Sequence, residues 1–431
     1  MVSYQRSWGY FSGPVTMSGT MNRHLIFVLI MLAACGGLAG AKVDPSTGLI
    51  RVISIGECFH PETRLPFFLR ADPRIRYQPV PTNWYEGTFS AVGSDRKDAE
   101  RFMRLYFPRS YERFLESYDV TLLSDFEVDI ISPTQFEWMA DAVEVGGMGI
   151  GKYEMNYDPA HWQTFDLFRA SALYPVFPTS LAHGREFSGI GLRATTMPDT
   201  GENHPILDLP NMPGNRLPVD IGSGKAGYEN PRQGSTVIAR YVPNREPAMV
   251  IWQYEEGQAM SCVPGHDTID WALSEHWPFT VDFWINQVWY LADLEISLDI
   301  EILHQLRENS MSYAIQRELA TSVIDFAERF GSPTARLYQK LSEADETKEE
   351  SDRLYRENDY QESMEMVELA FEQLREVADE SVKAKDAALF WIYAVEWVVV
   401  TAAAIISGSV LWSLMVRRRL YSEIAVTRSQ H

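Results

Sequence analysis

Basic residues are scarce in this 431-residue chain, which carries 38 Lys and Arg against 59 Asp and Glu. The formal net charge of −21 argues against nucleic acid as a partner, because binding to a phosphate backbone depends on a surplus of positive charge. Apolar residues are abundant instead. A hydrophobic content of 45% and an aromatic content of 12% suffice for one sizeable α/β domain with a packed core and an appendage.

Charged residues are absent from the stretch 397–416, and twenty uncharged residues are enough to cross the hydrocarbon core of a membrane. The run of three arginines at 417–419 follows at once, and such a basic cluster marks the cytoplasmic side. We therefore predict a transmembrane helix over residues 389–416 and a cytoplasmic tail over residues 417–431.

A second apolar run, at residues 25–34, lies near the amino terminus and is short for a membrane span. Basic residues 23–24 precede it and small residues 39–41 offer a cleavage site, as in a secretory signal peptide. We predict an amino-terminal extension and signal peptide over residues 1–41, with an uncleaved anchor helix as the alternative. Cys35 also resembles the lipid-bearing cysteine of a bacterial lipoprotein. The two termini together predict a single-pass cell-membrane protein with an extracytoplasmic amino-terminal domain and a cytoplasmic carboxyl terminus.

Glycine and proline are nearly absent from residues 295–388, except at the turn 331–333. This composition, dense in Glu, Arg, Leu and Ala, predicts a stalk of helices that are separated at that turn. Apolar stripes begin at Ile300 and at Met364. The helices pack on one another or on the preceding domain, or they form a partner-binding coiled coil. No heptad is sustained long enough to decide between these arrangements.

The stretch from 118 to 154 predicts a strand, a helix and a second strand. Branched residues 120–123 form a buried strand, and Ser132 with Gln135 forms a capping box at the start of the helix. A strand at 148–150 and a turn at 151–154 follow. Such a unit favours a parallel sheet with helices on both faces.

Other strands are indicated before and after this unit. Residues 49–55 form a β-branched run that opens into a polar loop. Residues 248–254 and 258–263 predict a hairpin with its turn at 255–257, and the aromatic-rich residues 279–292 predict a helix that closes the sheet.

The order of these segments resembles the class I glutamine amidotransferase-like superfamily, and within it the ThuA-like branch. The resemblance covers roughly residues 50–294 and rests on IGE, YDVTLLSD, GGMGIG, HPILDLP, MVIWQYEEGQAMSCVPGH and EHWPFTVDFWINQVWYLA in that order. It implies a flavodoxin-like parallel sheet flanked by helices, with any pocket at the carboxyl ends of the strands. The predicted fold is therefore α/β, followed by the helical stalk over 295–388 and one transmembrane helix.

The resemblance also implies catalytic residues, which this chain does not provide. Amidotransferases of this superfamily place a Cys nucleophile on a sharp strand-to-helix turn and activate it with a His-x-Glu pair. The turn at 151–154 holds neither Cys nor Ser, and Glu275 directly precedes His276. We therefore predict no catalytic residue, no cofactor and no metal, and a domain that binds a ligand or a partner protein at the membrane or cell surface.

Polar and sulfur-bearing side chains nevertheless follow the predicted strands, and a doubly wound sheet would bring them to one rim. The candidate pocket residues are Glu57, Cys58, His60, Asp125, Lys152, Tyr153, Glu154, Cys262, His266, His276 and Trp277. The alternative function is an extracellular hydrolase or carbohydrate-processing enzyme that uses Glu57, His60 and His276 of this rim.

Cys58 and Cys262 admit three interpretations. Together with His60 and His266 they supply four zinc-type ligands, although the spacing matches no tight metal signature. Outside the cell they form a disulfide if their Cα atoms approach within about 7 Å. The third interpretation is two buried thiols beside ordinary hydrogen-bonded histidines.

Overall fold

The computed structural model describes most of the chain from residue 43 onward. The described residues are 43, 47–58, 65–82, 96–153, 162–181, 185–186, 191–212, 215–217, 225–226, 229–242, 245–262, 277–297 and 299–428. The predicted signal peptide and the candidate residues His60, Glu154, His266 and His276 lie outside them.

The strands of the described residues are β1 (Ile50–Gly56), β2 (Ile75–Pro81), β3 (Val120–Ser124), β4 (Gly149–Tyr153), β5 (Thr179–Leu181), β6 (Arg185–Glu186), β7 (Leu192–Ala194), β8 (Lys225–Ala226), β9 (Glu229–Pro231), β10 (Thr236–Tyr241), β11 (Pro247–Tyr254) and β12 (Gly257–Cys262). The helices are α1 (Leu65–Leu69), α2 (Arg96–Tyr106), α3 (Tyr111–Ser117), α4 (Pro133–Glu144), α5 (Trp162–Arg169), α6 (Thr280–Leu291), α7 (Ile300–Arg329), α8 (Ala335–Arg356) and α9 (Tyr360–Arg428).

One mixed sheet organises the α/β domain. Within the described residues it has eight strands in the order β2-β1-β3-β4-β12-β11-β10-β7. The first five are mutually parallel, whereas β11, β10 and β7 each run antiparallel to their neighbour. With β12 counted fifth, the parallel part has the flavodoxin-like order 2-1-3-4-5. The predicted α/β fold is confirmed, and the hairpin predicted at 255–257 begins its antiparallel extension.

Two apolar cores cover the two faces of the sheet. One core joins side chains of α1 and α6 to the sheet, and the other joins side chains of α2, α3 and α4 to the opposite face. The predicted capping box of α4 is present, because Ser132 Oγ accepts from Gln135 N at 3.3 Å and Gln135 Oε1 accepts from Ser132 N at 2.9 Å. This cap fixes the start of the helix between β3 and β4.

The turn predicted at 151–154 is wrong in its position, because β4 continues through Tyr153. Lys152 and Tyr153 are buried within the strand, and the Tyr153 ring packs edge to face on Trp284 with a centroid distance of 5.4 Å. Helices cover both faces of this strand, so the strand continues through Lys152, where the sequence predicted a turn.

Helix α6 approaches the backbone of β4 directly. A Cβ atom at Gly149 would lie 2.0 Å from the carbonyl oxygen of Leu291, and one at Gly151 would lie 3.0 Å from Leu291 Cδ1. These glycines therefore allow a close contact between helix and strand that no larger residue permits at position 149.

The stalk region is a bundle of α7, α8 and the first part of α9. Its own core contains Tyr313, Ala320, Ile324, Leu337, Leu341, Ala370, Leu374 and Val377. The predicted break at 331–333 is present, with Gly331 at a φ of +83°. A second break, at Asn358 with a φ of +65°, was not predicted. The helices thus pack on one another, which is one of the arrangements that the sequence left open.

The bundle also packs on the α/β domain through Arg307 of α7, which is fully buried. Its guanidinium donates to Asp282 Oδ1 at 2.7 Å and to Asp72 Oδ2 at 3.1 Å. The hydroxyl of Tyr355 donates to the same Asp72 oxygen at 2.8 Å, and the guanidinium lies 5.0 Å from the centroid of Trp289. We call Arg307, Asp72, Asp282, Tyr355 and Trp289 the junction cluster; it joins α6, α7, α8 and the chain after α1.

Helix α9 continues beyond the bundle without a break for 69 residues in total, a length of about 100 Å. From Val395 to Val416 its large apolar side chains are exposed, and Trp412 is 71% exposed. The helix contains a window with a mean hydropathy of 2.0 that is not buried anywhere in the structure. By length and composition α9 is therefore able to cross a membrane.

Replacement of Arg307 by methionine should destabilise the chain by about 3–5 kcal/mol, because two buried aspartates lose their shared cation. Arg317→Met is the matched control on the same helix, since Arg317 pairs with Asp345 at the surface. Its cost should stay below about 1 kcal/mol. Denaturant unfolding of the purified chain in detergent measures both values. Equal stability losses in the two variants would contradict a structural role for the junction cluster.

Candidate functional site

The carboxyl ends of β1, β2 and β3 converge at one rim of the sheet. The Glu57 amide donates to the Ser124 carbonyl at 2.7 Å, and the Thr82 amide donates to the Gly56 carbonyl at 3.0 Å. Gly56 has a φ of +125°, and a Cβ atom there would lie only 1.8 Å from the Ser124 oxygen. Only glycine therefore allows the ends of β1 and β3 to meet so closely.

Two candidate carboxylates lie at this convergence. Gly56 is aligned with Ser124 in the strand register, so Glu57 and Asp125 come next on neighbouring strand ends. Glu57 is 8% exposed. Asp125 has a φ of +40°, in the left-handed region that residues other than glycine seldom adopt. Backbone strain of this kind is concentrated at functional sites, so these two residues stay candidates for a rim site.

Cys58 follows Glu57 and is buried. Its thiol donates to the Ser54 carbonyl at 3.4 Å and lies 3.8 Å from the Ser54 hydroxyl. Burial is the main cause that raises the pKa of the Cys58 thiol to about 11. The thiolate is the nucleophilic form of cysteine, so Cys58 is inert at neutral pH in this environment.

Lys152, Tyr153 and Cys262 lie in the core rather than at an open rim. Lys152 is 3% exposed, and its Nζ lies 5.9 Å from the ring centroid of Phe177. Tyr153 is aligned with Cys262 across β4 and β12, and burial raises the pKa of the Tyr153 hydroxyl. These three candidates therefore contribute to the packing of the sheet.

Of the three interpretations of Cys58 and Cys262, the structure supports two buried thiols and contradicts the disulfide. The two buried thiols are not bonded to each other. Cys58 follows β1 and Cys262 ends β12, and β3 and β4 lie between these two strands. Neighbouring strands lie about 4.8 Å apart, which places these two strands on the order of 14 Å apart. Because of the same separation, one zinc ion cannot bind both sulfur atoms, since each Zn–S bond is about 2.3 Å long. The histidines of that hypothesis, His60 and His266, lie outside the described residues.

Trp277 is explained by packing. Its side chain is buried, and its indole nitrogen donates to the Pro210 carbonyl at 2.9 Å. The ring also packs on Phe279 and Phe283, with centroid distances of 6.4 and 6.3 Å. Trp277 therefore belongs to the apolar core before α6 and is not available for binding a ligand.

Glu127 is a rim residue that the sequence analysis missed. It follows β3 by three positions and is buried, and burial together with the nearby Asp129 charge raises its pKa to about 7. A carboxyl group that titrates near neutral pH is suited to proton transfer. Its position in the strand-end segment after Ser124 could have indicated it, but its burial could not be predicted from spacing.

No model of a known protein family matches the chain, and no curated protein matches it. A cytoplasmic protein of Salmonella typhimurium LT2 has a similar structure over 56% of this chain and 99% of its own, with 16% identity and a TM-score of 0.41. A second cytoplasmic protein of Salmonella typhimurium matches over 56% and 99%, with 17% identity and a TM-score of 0.42. An exo-β-1,4-mannosidase from Opitutaceae bacterium strain TAV5 matches over 64% and 40%, with 12% identity and a TM-score of 0.29. These likenesses assign no function to this chain, and the resemblance to glutamine amidotransferases stays a prediction.

The raised pKa of Glu127 predicts a defined pH dependence of stability. The folded chain holds the Glu127 proton more tightly than the unfolded chain, in which the pKa is about 4.5. The free energy of unfolding should therefore fall as pH rises from about 4.5 to about 7, by at most about 3 kcal/mol from this group.

Glu127→Gln should remove that dependence. The difference in the free energy of unfolding between variant and wild type should therefore favour the variant more at pH 8 than at pH 5. Denaturant unfolding of both chains at the two pH values tests this. The exposed Glu112→Gln is the control, because the pKa of Glu112 is lowered rather than raised. If the free energy of unfolding depends on pH equally in the wild type and in Glu127→Gln, the raised pKa of a buried Glu127 is refuted.

Proposed function

We propose that the chain is a single-pass membrane protein that displays its α/β domain outside the cell, where the domain binds a ligand or a partner protein. The observation that carries this proposal is the apolar segment of α9, which leaves the bundle with its side chains exposed on all faces. In water such a segment would present a continuous apolar surface, whereas the hydrocarbon core of a membrane accommodates it.

The orientation is supported by the charges at the two ends of the span. The arginine run at 417–419 follows the apolar segment, and basic residues favour the cytoplasmic side. The aromatic residues Trp391, Tyr393 and Trp397 are exposed at the opposite end, where they suit the interface between membrane and water. The α/β domain and the bundle then lie outside, and residues 417–431 lie inside.

A non-catalytic, glutamine amidotransferase-like role for the α/β domain is supported by the chemistry of its rim. The position that corresponds to the nucleophile turn, 151–154, contains no Cys or Ser, and Lys152 and Tyr153 within it are buried in β4. Cys58 is protonated and buried. Binding therefore accounts for the domain better than covalent catalysis does.

A second candidate is an extracellular hydrolase, and Glu127 favours it. Its pKa of about 7, two residues after Asp125 in the segment that follows β3, would suit a general acid. Purified protein should then cleave p-nitrophenyl glycosides or esters, and Glu127→Gln should lose this activity while it stays folded. This candidate function is excluded if the wild type shows no hydrolysis, or if Glu127→Gln hydrolyses these substrates as fast as the wild type.

The membrane topology is tested by labelling engineered thiols in intact cells with a maleimide that does not cross membranes. Asp199→Cys in the α/β domain and Tyr421→Cys after the arginine run both occupy exposed positions. The first should be labelled in intact cells, and the second only after lysis. A Cys35→Ser chain, into which both substitutions are placed, gives the background, which should be low because its other two cysteines, Cys58 and Cys262, are buried. If only Tyr421→Cys is labelled in intact cells, the orientation is opposite to the proposed one. If a high-salt wash releases the chain from membranes, α9 does not span the membrane.

A further inference from the structure

Helix α7 and its C-cap carry a row of apolar side chains that the bundle leaves at the surface. Ile315, Leu319, Phe326 and Phe330 are exposed, Leu319 to 65%, and Val323 between them is partly exposed. The rings of Phe326 and Phe330 lie 4.7 Å apart between centroids, so the row is continuous. We call these five residues the α7 stripe. Single apolar residues are common on protein surfaces, whereas a contiguous group indicates an interaction site.

The spacing of the α7 stripe fits a second helix that lies parallel to it. Leu319, Val323, Phe326 and Phe330 are separated by four, three and four residues, which is the spacing of the seam between two helices of a coiled coil. The flanking positions between residues 315 and 327 are uncharged, namely Ile315, Ala320, Ser322 and Ala327. Two copies of the stripe would therefore bring no like charges together, although the whole chain carries a net charge of −21.

The proposed membrane does not reach the α7 stripe. The hydroxyl of Ser332, in the turn after α7, donates to the Ala384 carbonyl on α9 at 3.1 Å. Ala384 lies 13 residues before Trp397, where the uncharged span begins, and this corresponds to about 20 Å along the helix. From that turn α7 leads back toward the junction cluster, so the rest of the stripe lies still farther from the lipid. Protein must therefore cover the stripe if anything does.

The area of the α7 stripe favours a partner that is held in the same membrane. The stripe offers on the order of 400 Å² per copy, about half of the 800 Å² that a standard interface takes from each partner. A soluble protein would be bound only weakly by so small a contact. Two chains that are anchored in one bilayer are confined to a plane, and the resulting effective concentration allows a smaller contact to hold them together.

We propose that the α7 stripe is the contact between two copies of this chain, packed in parallel about a twofold axis along the membrane normal. Copies that are inserted in one membrane share their orientation, so each stripe residue meets its own counterpart at the same height. This inference goes beyond the ligand-binding role and rests on the membrane span proposed above. The two α/β domains of such a dimer would project from the membrane side by side.

The test is disulfide cross-linking of the full chain in native membranes, with copper phenanthroline as the oxidant. Leu319→Cys and Phe326→Cys are each placed in the Cys35→Ser chain, and Glu318→Cys is the matched control, because Glu318 is exposed next to the stripe. Each stripe variant should give a dimer on non-reducing gels in about tenfold higher yield than the control, since a disulfide requires Cα atoms within about 7 Å.

The two stripe positions together distinguish a parallel pair from an antiparallel one. Leu319 and Phe326 are seven residues apart, or about 10 Å along the helix. In an antiparallel pair only one point of the helix lies opposite itself, so the two positions cannot both cross-link to their own counterparts. Cross-linking at only one position, or at neither position above the control, overturns the inference.

A charge placed in the seam gives a second test. Phe326→Glu in the Leu319→Cys chain should lower the dimer yield about tenfold, because two carboxylates would face each other across an apolar contact. Phe326 is exposed, so the chain should still fold, and Glu318→Gln in the same chain should leave the yield unchanged. An undiminished yield with Phe326→Glu would mean that the thiols meet by random collision, which also overturns the inference.

The failure of this inference and the failure of the proposed membrane topology give different results. A reversed orientation would change the labelling of Asp199→Cys and Tyr421→Cys but leave both copies parallel and the cross-links intact. Absence of cross-links would leave the labelling pattern unchanged. Release of the chain by a high-salt wash contradicts the span, whatever the cross-links show.

Discussion

A guanidinium buried between two aspartates holds the two halves of this molecule together. Burial alone would lower the pKa of Arg307, but the neighbouring Tyr355, Asp72 and Asp282 raise it above its ordinary value. The charge therefore persists in the interior, where removing an ion from water costs several kcal/mol. Two carboxylates, a tyrosine hydroxyl and the face of Trp289 offset that cost. His304 adds a contact of 2.6 Å to the second oxygen of Asp282.

This junction determines what the long terminal helix can do. Helix α9 packs in the bundle over its first part and continues unbroken toward the arginine run. Since α7 is fixed to α6 by the junction cluster, the α/β domain has one orientation relative to the axis of α9. Arg74 reinforces this arrangement by donating to the Tyr355 carbonyl at 3.1 Å and to Asn358 Oδ1 at 2.6 Å, at the break between α8 and α9. The domain is thereby held rigidly on the proposed membrane helix rather than on a flexible linker.

Local features of the fold could be predicted from the sequence, and long-range ones could not. The capping box at Ser132, the hairpin at 255–257, the break at 331–333 and the apolar span each depend on residues that are close in the chain. The error at 151–154 arose because burial of Lys152 depends on helices far away in the sequence. The sequence left a Cys58–Cys262 disulfide open because the strand order, which separates the two residues, depends on long-range pairing. The contact between Asp72 and Arg307 could not be predicted because the two residues are 235 positions apart. The sequence around Asn286 likewise gives no sign that this residue borders a pocket.

The central claim is that the α/β domain and the bundle unfold as one unit through the junction cluster. Native-state hydrogen exchange on the full chain tests it directly, by comparing amides of β3 and β4 with amides in the first half of α7. A single cooperative unit predicts that both sets exchange through the same global opening, with equal free energies and equal dependence on denaturant. If the α7 amides exchange through a separate opening of lower free energy while the sheet stays protected, the two halves are independent and the claim is wrong.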